Sequence, residues 1–174
     1  TRTGVIDILK LMGGNIELLN QRFQAGELIA DIKVSSSKLK GIEIPENLVP
    51  LAIDEFPVLF IAASCADGET VLTGAKELRV KESDRIQVMA DGLTSLGIEN
   101  HVLEDGIRIL GGEFTKQASS IKSHHDHRIS MAFAIASVRS KFDIEIEGVD
   151  NVKTSFPNFE LLANSIGMSI KREG

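Results

Sequence analysis

Three short runs of charged residues carry most of the chemistry this chain can offer. Lys81-Glu82-Ser83-Asp84-Arg85 opens one amphipathic stretch, His124-His125-Asp126-His127-Arg128 a second, and Lys153-Thr154-Ser155 a third. Each is expected at a helix start, where free backbone N–H groups and the helix dipole favour anions. Glu82 and Asp84 suit that end of a helix. Lys81 and Arg85 do not, unless an anion lies between them, and as an i, i+4 pair in one helix they would share a face. Two readings stay open: a bound phosphate, or a solvated run in which Glu82 and Asp84 neutralise Lys81 and Arg85. The histidine run has the composition of a metal site, but adjacent residues cannot all face one ion. A helix-start anion site with Arg128 as a bidentate clamp is the better reading. At the third run Thr154 or Ser155 is expected to cap a helix with Pro157 in its first turn. Taken alone, Lys153 reads as an ordinary surface lysine.

The elements that must position these residues follow from periodicity. Val5, Ile8, Leu9 and Met12 fall at helical spacing before Gly13-Gly14. Strand-like segments follow at 15–20, 30–34 and 41–44. The segment 54–66 is apolar almost all round, as a buried helix is, and 69–72 reads as a strand. A helix is expected from Lys81 to Leu96, stopped by Gly97. Strands at 99–103 and 107–110 meet at a Glu104-Asp105-Gly106 turn. A helix at 128–138, a strand at 143–147, a helix at 158–166 and a strand at 168–171 complete the chain.

This order repeats. Asp54 and Asp126 each begin a buried helix, each helix leads to a strand, and each strand leads to a lysine, Lys81 or Lys153. Both Asp-to-Lys spacings are 27 residues. The expected fold is therefore α/β, built from strand–helix–strand–helix–strand–strand units of about 70 residues, with sheets outside packed, buried helices. The opening helix looks like the tail of an earlier copy. If helix starts gather at one end, Lys81, Arg85, Arg128 and Lys153 converge on a substrate bearing phosphate and carboxylate groups. Asp54 and Glu82 would then be carboxylates poised for proton transfer in that cationic field. Asp54 as a plain helix cap is the structural alternative.

Composition narrows the function classes. The chain has 174 residues, 43% of them hydrophobic, which excludes disorder and suits one domain. With 25 acidic against 19 basic residues, and no Trp or Tyr, nucleic-acid binding is not expected. The longest apolar stretch, 56–63, is far short of the ~20 residues of a membrane span. Cys65, the only cysteine, excludes an internal disulfide, fits a reducing, cytoplasmic compartment, and suits packing better than nucleophilic chemistry. The chain opens Thr1-Arg2-Thr3-Gly4, as a cut inside a longer protein would.

Four segments carry a family resemblance: Ile53-Asp54-Glu55-Phe56-Pro57, the run from Glu77 to Arg85, the run from His125 to Met131, and Lys153-Thr154-Ser155-Phe156-Pro157. In order and spacing they resemble the 5-enolpyruvylshikimate-3-phosphate synthases over the whole chain, and the Lys-Glu-Ser-Asp-Arg signature is highly specific. The resemblance implies an enzyme of the shikimate route to chorismate and aromatic amino acids, the target of glyphosate. It joins phosphoenolpyruvate to the 5-hydroxyl of shikimate 3-phosphate and releases phosphate, with no metal or organic cofactor. The implied architecture is two similar domains of three units each, an inside-out barrel arrangement closing like a hinge on the substrates, in a monomer. Residues 1–174 would be a single domain, most of the C-terminal one, with the N-terminal domain absent.

By position, Asp54 matches the family's proton acceptor at the shikimate 5-hydroxyl and Glu82 the acid that protonates the phosphoenolpyruvate methylene. Lys81 matches a contact to shikimate 3-phosphate. Arg85, Arg128 and Lys153 match the phosphoenolpyruvate-binding cations, with His127 beside them. Glu77 stands where some members carry Asn, near the shikimate phosphate. The fragment alone is expected to be inactive. The alternatives are an enolpyruvyl transferase with another acceptor, such as UDP-N-acetylglucosamine, and a non-catalytic anion-binding domain.

Overall fold

The computed structural model describes residues 3–118 and 120–172, so the opening Thr1-Arg2 pair lies outside the described residues. Helix α1 (Gly4–Leu11) leads into an antiparallel hairpin of β1 (Asn15–Gln24) and β2 (Glu27–Ser35), longer than the apolar alternation alone suggested. The fully apolar α2 (Phe56–Ser64) follows, with Pro57 in its first turn, where a missing N–H costs nothing. Then come β3 (Glu69–Leu72), a short 3₁₀ turn at Lys76–Val80, α3 (Arg85–Ser95), β4 (Asn100–Val102) and β5 (Ile107–Leu110). The last part holds β6 (Ile121–Lys122), α4 (His127–Ala136), β7 (Ile146–Glu147), α5 (Asn151–Ser155) and α6 (Phe159–Ser165).

The repeat is visible as geometry. Around α2, Lys40 and Glu43 bridge in parallel to Asp67 and Val71, so that strand, helix and strand follow in turn. Around α4, β6 and β7 pair in parallel in the same way. Strands β3, β5 and β4 then form one antiparallel sheet in that order. The helices α2 and α4 pack on each other, and α2 also packs under β5, so apolar helices lie inside and strands outside. Phe56, Phe60 and Phe133 are fully buried here; each contributes about 2–3 kcal/mol of transfer free energy. The segment 41–44 makes only these bridges, not a full ladder. At Gly41 the two backbones nearly touch: a Cβ there would lie 2.2 Å from the Glu69 carbonyl oxygen.

Several sequence expectations change. Residues Lys81–Ser83 are not helical. Asp84 is the N-cap of α3, its carboxylate accepting the Gln87 N–H at 3.1 Å, so the helix starts at Arg85. Lys81 and Arg85 therefore do not share a helix face. Similarly, Glu55 rather than Asp54 holds the N-cap position of α2. Lys153, Thr154 and Ser155 lie within α5, which ends before Pro157, and neither hydroxyl caps α6. The strand expected at 143–147 shortens to β7, and β6, two residues long, was too short for a periodic signal. The strand expected at 168–171 has no ladder among the described residues. Instead the Asn164 side chain takes both the N–H and the C=O of Ile170, at 2.7 and 3.0 Å.

Candidate active site

The starts of α2, α3 and α4 meet, and the charged runs meet with them. Arg85 is the centre: its side chain is 1% exposed, and a buried guanidinium demands partners. Its Nε donates to Asp126 Oδ2 at 2.8 Å and its Nη2 to Glu82 Oε2 at 2.6 Å, while Nη1 lies 3.4 Å from Asp54 Oδ1. Asp126 is 0% exposed and fully engaged. Besides Arg85 it accepts the Ser83 hydroxyl at 3.0 Å and, as N-cap of α4, the Arg128 N–H at 2.9 Å. Burial pushes the Asp126 carboxyl up, but the hydrogen bond and charge of Arg85, with the Arg128 amide and Ser83, outweigh it and hold the carboxyl below its ordinary value.

Asp54, at 15% side-chain exposure, is approached from three segments. Lys81 Nζ stands 3.4 Å from Oδ1, Arg85 Nη1 3.4 Å from the same atom, and Arg128 Nη2 3.9 Å from Oδ2. Arg128 Nη1 also donates to the Asp54 carbonyl at 2.7 Å and reaches Glu55 Oε1 at 3.5 Å. Lys81 is bonded to Glu77 as well. That bond raises the Lys81 ammonium above its ordinary value; partial burial works against it and Asp54 adds to it.

The structure thus brings together Asp54, Glu77, Lys81, Glu82, Arg85 and Arg128. His127 is the first residue of α4, half-buried beside Arg128. Lys153 is exposed on α5 and makes no ion pair or side-chain hydrogen bond among the described residues. Neither reading of the Lys81–Arg85 run describes its pairing fully. Glu82 does pair with Arg85, but Asp84 pairs with Arg79 at 2.7 Å, and Lys81 turns to Asp54 and Glu77. The cations are interleaved with protein carboxylates rather than left as an open cationic field.

Sequence reasoning passed over Asp126 and Glu55 as site residues. The signal for Asp126 was present: the repeat makes it the counterpart of Asp54, and both contact Arg85. His124 and His125 sit in the left-handed region, at φ 54° and 60°, forming the turn that delivers Asp126. Among the described residues, no three His, Cys, Asp or Glu side chains are grouped to hold a metal ion.

The starts of α2, α3 and α4 thus gather interleaved carboxylates and cations on repeated strand–helix–strand units. Residues 1–161 match the sequence model of the family described as EPSP synthase (3-phosphoshikimate 1-carboxyvinyltransferase), and the chain belongs to that family. It is 72% identical over 170 residues to the 3-phosphoshikimate 1-carboxyvinyltransferases of Vesicomyosocius okutanii and Ruthia magnifica, covering 98% of this chain and 39% of each relative. A solved EPSP synthase of Acinetobacter baumannii superposes with a TM-score of 0.93 at 56% identity, over 98% of this chain and 40% of that one. The chain therefore spans about two fifths of the length of the proteins it matches.

Proposed function

We propose that this chain is most of the C-terminal domain of an enzyme that transfers the enolpyruvyl group of phosphoenolpyruvate to the 5-hydroxyl of shikimate 3-phosphate. The observation that carries this is the convergence of Lys81, Arg85 and Arg128 on Asp54, with Glu82 on Arg85, from three separate helix starts. Phosphoenolpyruvate bears a carboxylate and a phosphate, so Arg85, Arg128 and Lys153, with His127 beside them, suit its binding and the charge that develops on it. Lys81, and Glu77 through it, face the shikimate phosphate.

The reaction adds and then eliminates. Asp54 accepts the 5-hydroxyl proton as the oxygen bonds to C2 of phosphoenolpyruvate, and Glu82 delivers a proton to C3, which becomes a methyl group. The Glu82 carboxylate then takes a proton back from that methyl, restoring the double bond as the C2–O bond to phosphate breaks, and the phosphate leaves with the proton Asp54 had taken. The two carboxylates sit in different environments: Asp54 is largely buried among cations, whereas the Glu82 side chain is 51% exposed.

The remainder of the enzyme lies in chain this sequence does not contain. The register of the β1–β2 hairpin sets Ile16, Leu18, Phe23, Leu28, Ile32 and Val34 on one face, and Phe23 is 79% exposed. Such a face supports coverage by further polypeptide of the same protein. In this reading the full-length enzyme is a cytoplasmic monomer, and the isolated 174 residues turn nothing over. Among the described residues no helix is long and apolar enough to cross a membrane.

The test is Glu82→Gln in the full-length protein, with phosphate release as the readout. A fall of about 10²-fold or more is expected for loss of a general acid; unchanged activity sinks the assignment. Turnover by the isolated chain would equally refute the division of the site between two domains.

A further inference from the structure

Arg79 belongs to the same charged segment as Lys81 and Glu82, yet none of the roles above uses it. Its guanidinium makes three contacts. Nη1 bonds Asp84 Oδ2 at 2.7 Å, Nε donates to the Glu104 carbonyl at 2.6 Å, and Nη2 donates to the Leu103 carbonyl. The two carbonyls belong to the turn between β4 and β5. That turn also grips the start of the 3₁₀ segment: Asp105 accepts the Ala75 N–H on its carbonyl at 2.7 Å and the Gly74 N–H on its carboxylate at 2.9 Å.

Only Val80, Lys81, Glu82 and Ser83 separate Arg79 from Asp84; Val80 ends the 3₁₀ turn, and the other three lie outside any helix. Three of these four carry site groups: Lys81 toward Asp54, Glu82 toward Arg85 and Ser83 toward Asp126. The Arg79–Asp84 pair closes this loop across its base, at the residue that also caps α3. The planar fork of Arg79 then fastens the base to the outer sheet, which a lysine's single ammonium would not do.

We propose that Arg79 is a positioning residue: by stapling the base of the 80–83 loop to the β4–β5 turn, it sets Lys81 and Glu82 in working geometry. The effect on catalysis rests on the proposed function; the staple itself does not. Arg85 also bonds Glu82 of the loop, but it keeps Asp126 outside it, Arg128 keeps Asp54 and Lys153 lies on α5, so the loop can lose its setting while these three stay in place.

The experiment compares Arg79→Ala and the milder Arg79→Lys in the full-length protein, by steady-state kinetics and by hydrogen exchange at the 80–84 amides. In Arg79→Ala, kcat falls by about 10- to 100-fold, the cost of misplacing reacting groups by an ångström or less. KM for shikimate 3-phosphate rises, while KM for phosphoenolpyruvate stays within about twofold. Arg79→Lys lies between, and it decides the matter if the alanine variant does not fold. Exchange at 80–84 speeds up in both variants. Unchanged exchange overturns the staple whatever the kinetics show. Equal rises in both KM values, or unchanged kcat with unchanged shikimate 3-phosphate KM, overturn the positioning role. A wild-type protein that releases no phosphate overturns the proposed function instead, and hydrogen exchange still decides Arg79.

Discussion

Replacing Asp126 by Asn tests the electrostatic centre of the fold with the least change of shape. The wild-type carboxylate takes Arg85 Nε at 2.8 Å, Ser83 Oγ at 3.0 Å and the Arg128 N–H at 2.9 Å, at 0% exposure. Removing one member of a buried pair costs about 3–5 kcal/mol, because the other charge stays buried. Asparagine keeps the volume and one acceptor oxygen, and Arg85 retains Glu82 at 2.6 Å and Asp54 at 3.4 Å. The loss should therefore sit near the low end, about 3 kcal/mol. For a chain of this size that lowers the melting temperature by about 6–12 °C. The pH dependence gives a second check. The folded-state pKa of Asp126 lies below its ordinary value, so its contribution is complete above that ordinary value and is lost as pH falls through the folded one. The gap between wild type and Asp126→Asn should be widest near neutrality and shrink in acid, measured by urea unfolding across that range. A gap under about 1 kcal/mol, or one that does not change with pH, refutes the reasoning.

Other perturbations probe different parts. Gly92 lies on α3 where a Cβ would come within 2.2 Å of the buried Phe133 ring, so Gly92→Ala should destabilise by about 1–3 kcal/mol despite its better helix propensity; a gain in melting temperature would show that the α3–α4 contact is slack. Glu77→Gln removes the chief partner of Lys81, but Glu77 is 61% exposed, so stability should change by about 0.5 kcal/mol or less. The raised Lys81 pKa means its contribution is present below its ordinary value and lost as pH rises through the folded one. Titration of Lys81 followed by NMR should accordingly move down in Glu77→Gln, and an unmoved titration contradicts the pairing.

Much of the site was legible because its chemistry is local. The charged runs flanking the apolar helices and the 27-residue Asp-to-Lys spacing can be read from the letters, and they brought out Asp54, Lys81, Glu82, Arg85 and Arg128. The repeat was legible for the same reason: an apolar helix between two strands leaves a pattern wherever it recurs. What failed were elements whose form depends on a distant partner. The two-residue β6 exists only because β7 lies beside it. The segment 168–171, apolar enough for a strand, lacks a ladder and satisfies Ile170 on Asn164 instead.

The α/β class, the buried α2 and α4 and the residue types near their starts follow from the letters alone, because the apolar pattern of a buried helix is written within a few turns of chain. The pairing of those charges was decided only by tertiary structure. Arg85 lies 41 residues from Asp126 and 31 from Asp54, and nothing local says that one guanidinium will be buried between them. That choice comes from the packing of α2, α3 and α4, which removes water from Arg85 and leaves protein carboxylates as its partners. The same packing turned an apparent phosphate-ready cationic run into an interleaved network, and it set Arg79, silent in the letters, at the base of the loop that holds Lys81 and Glu82.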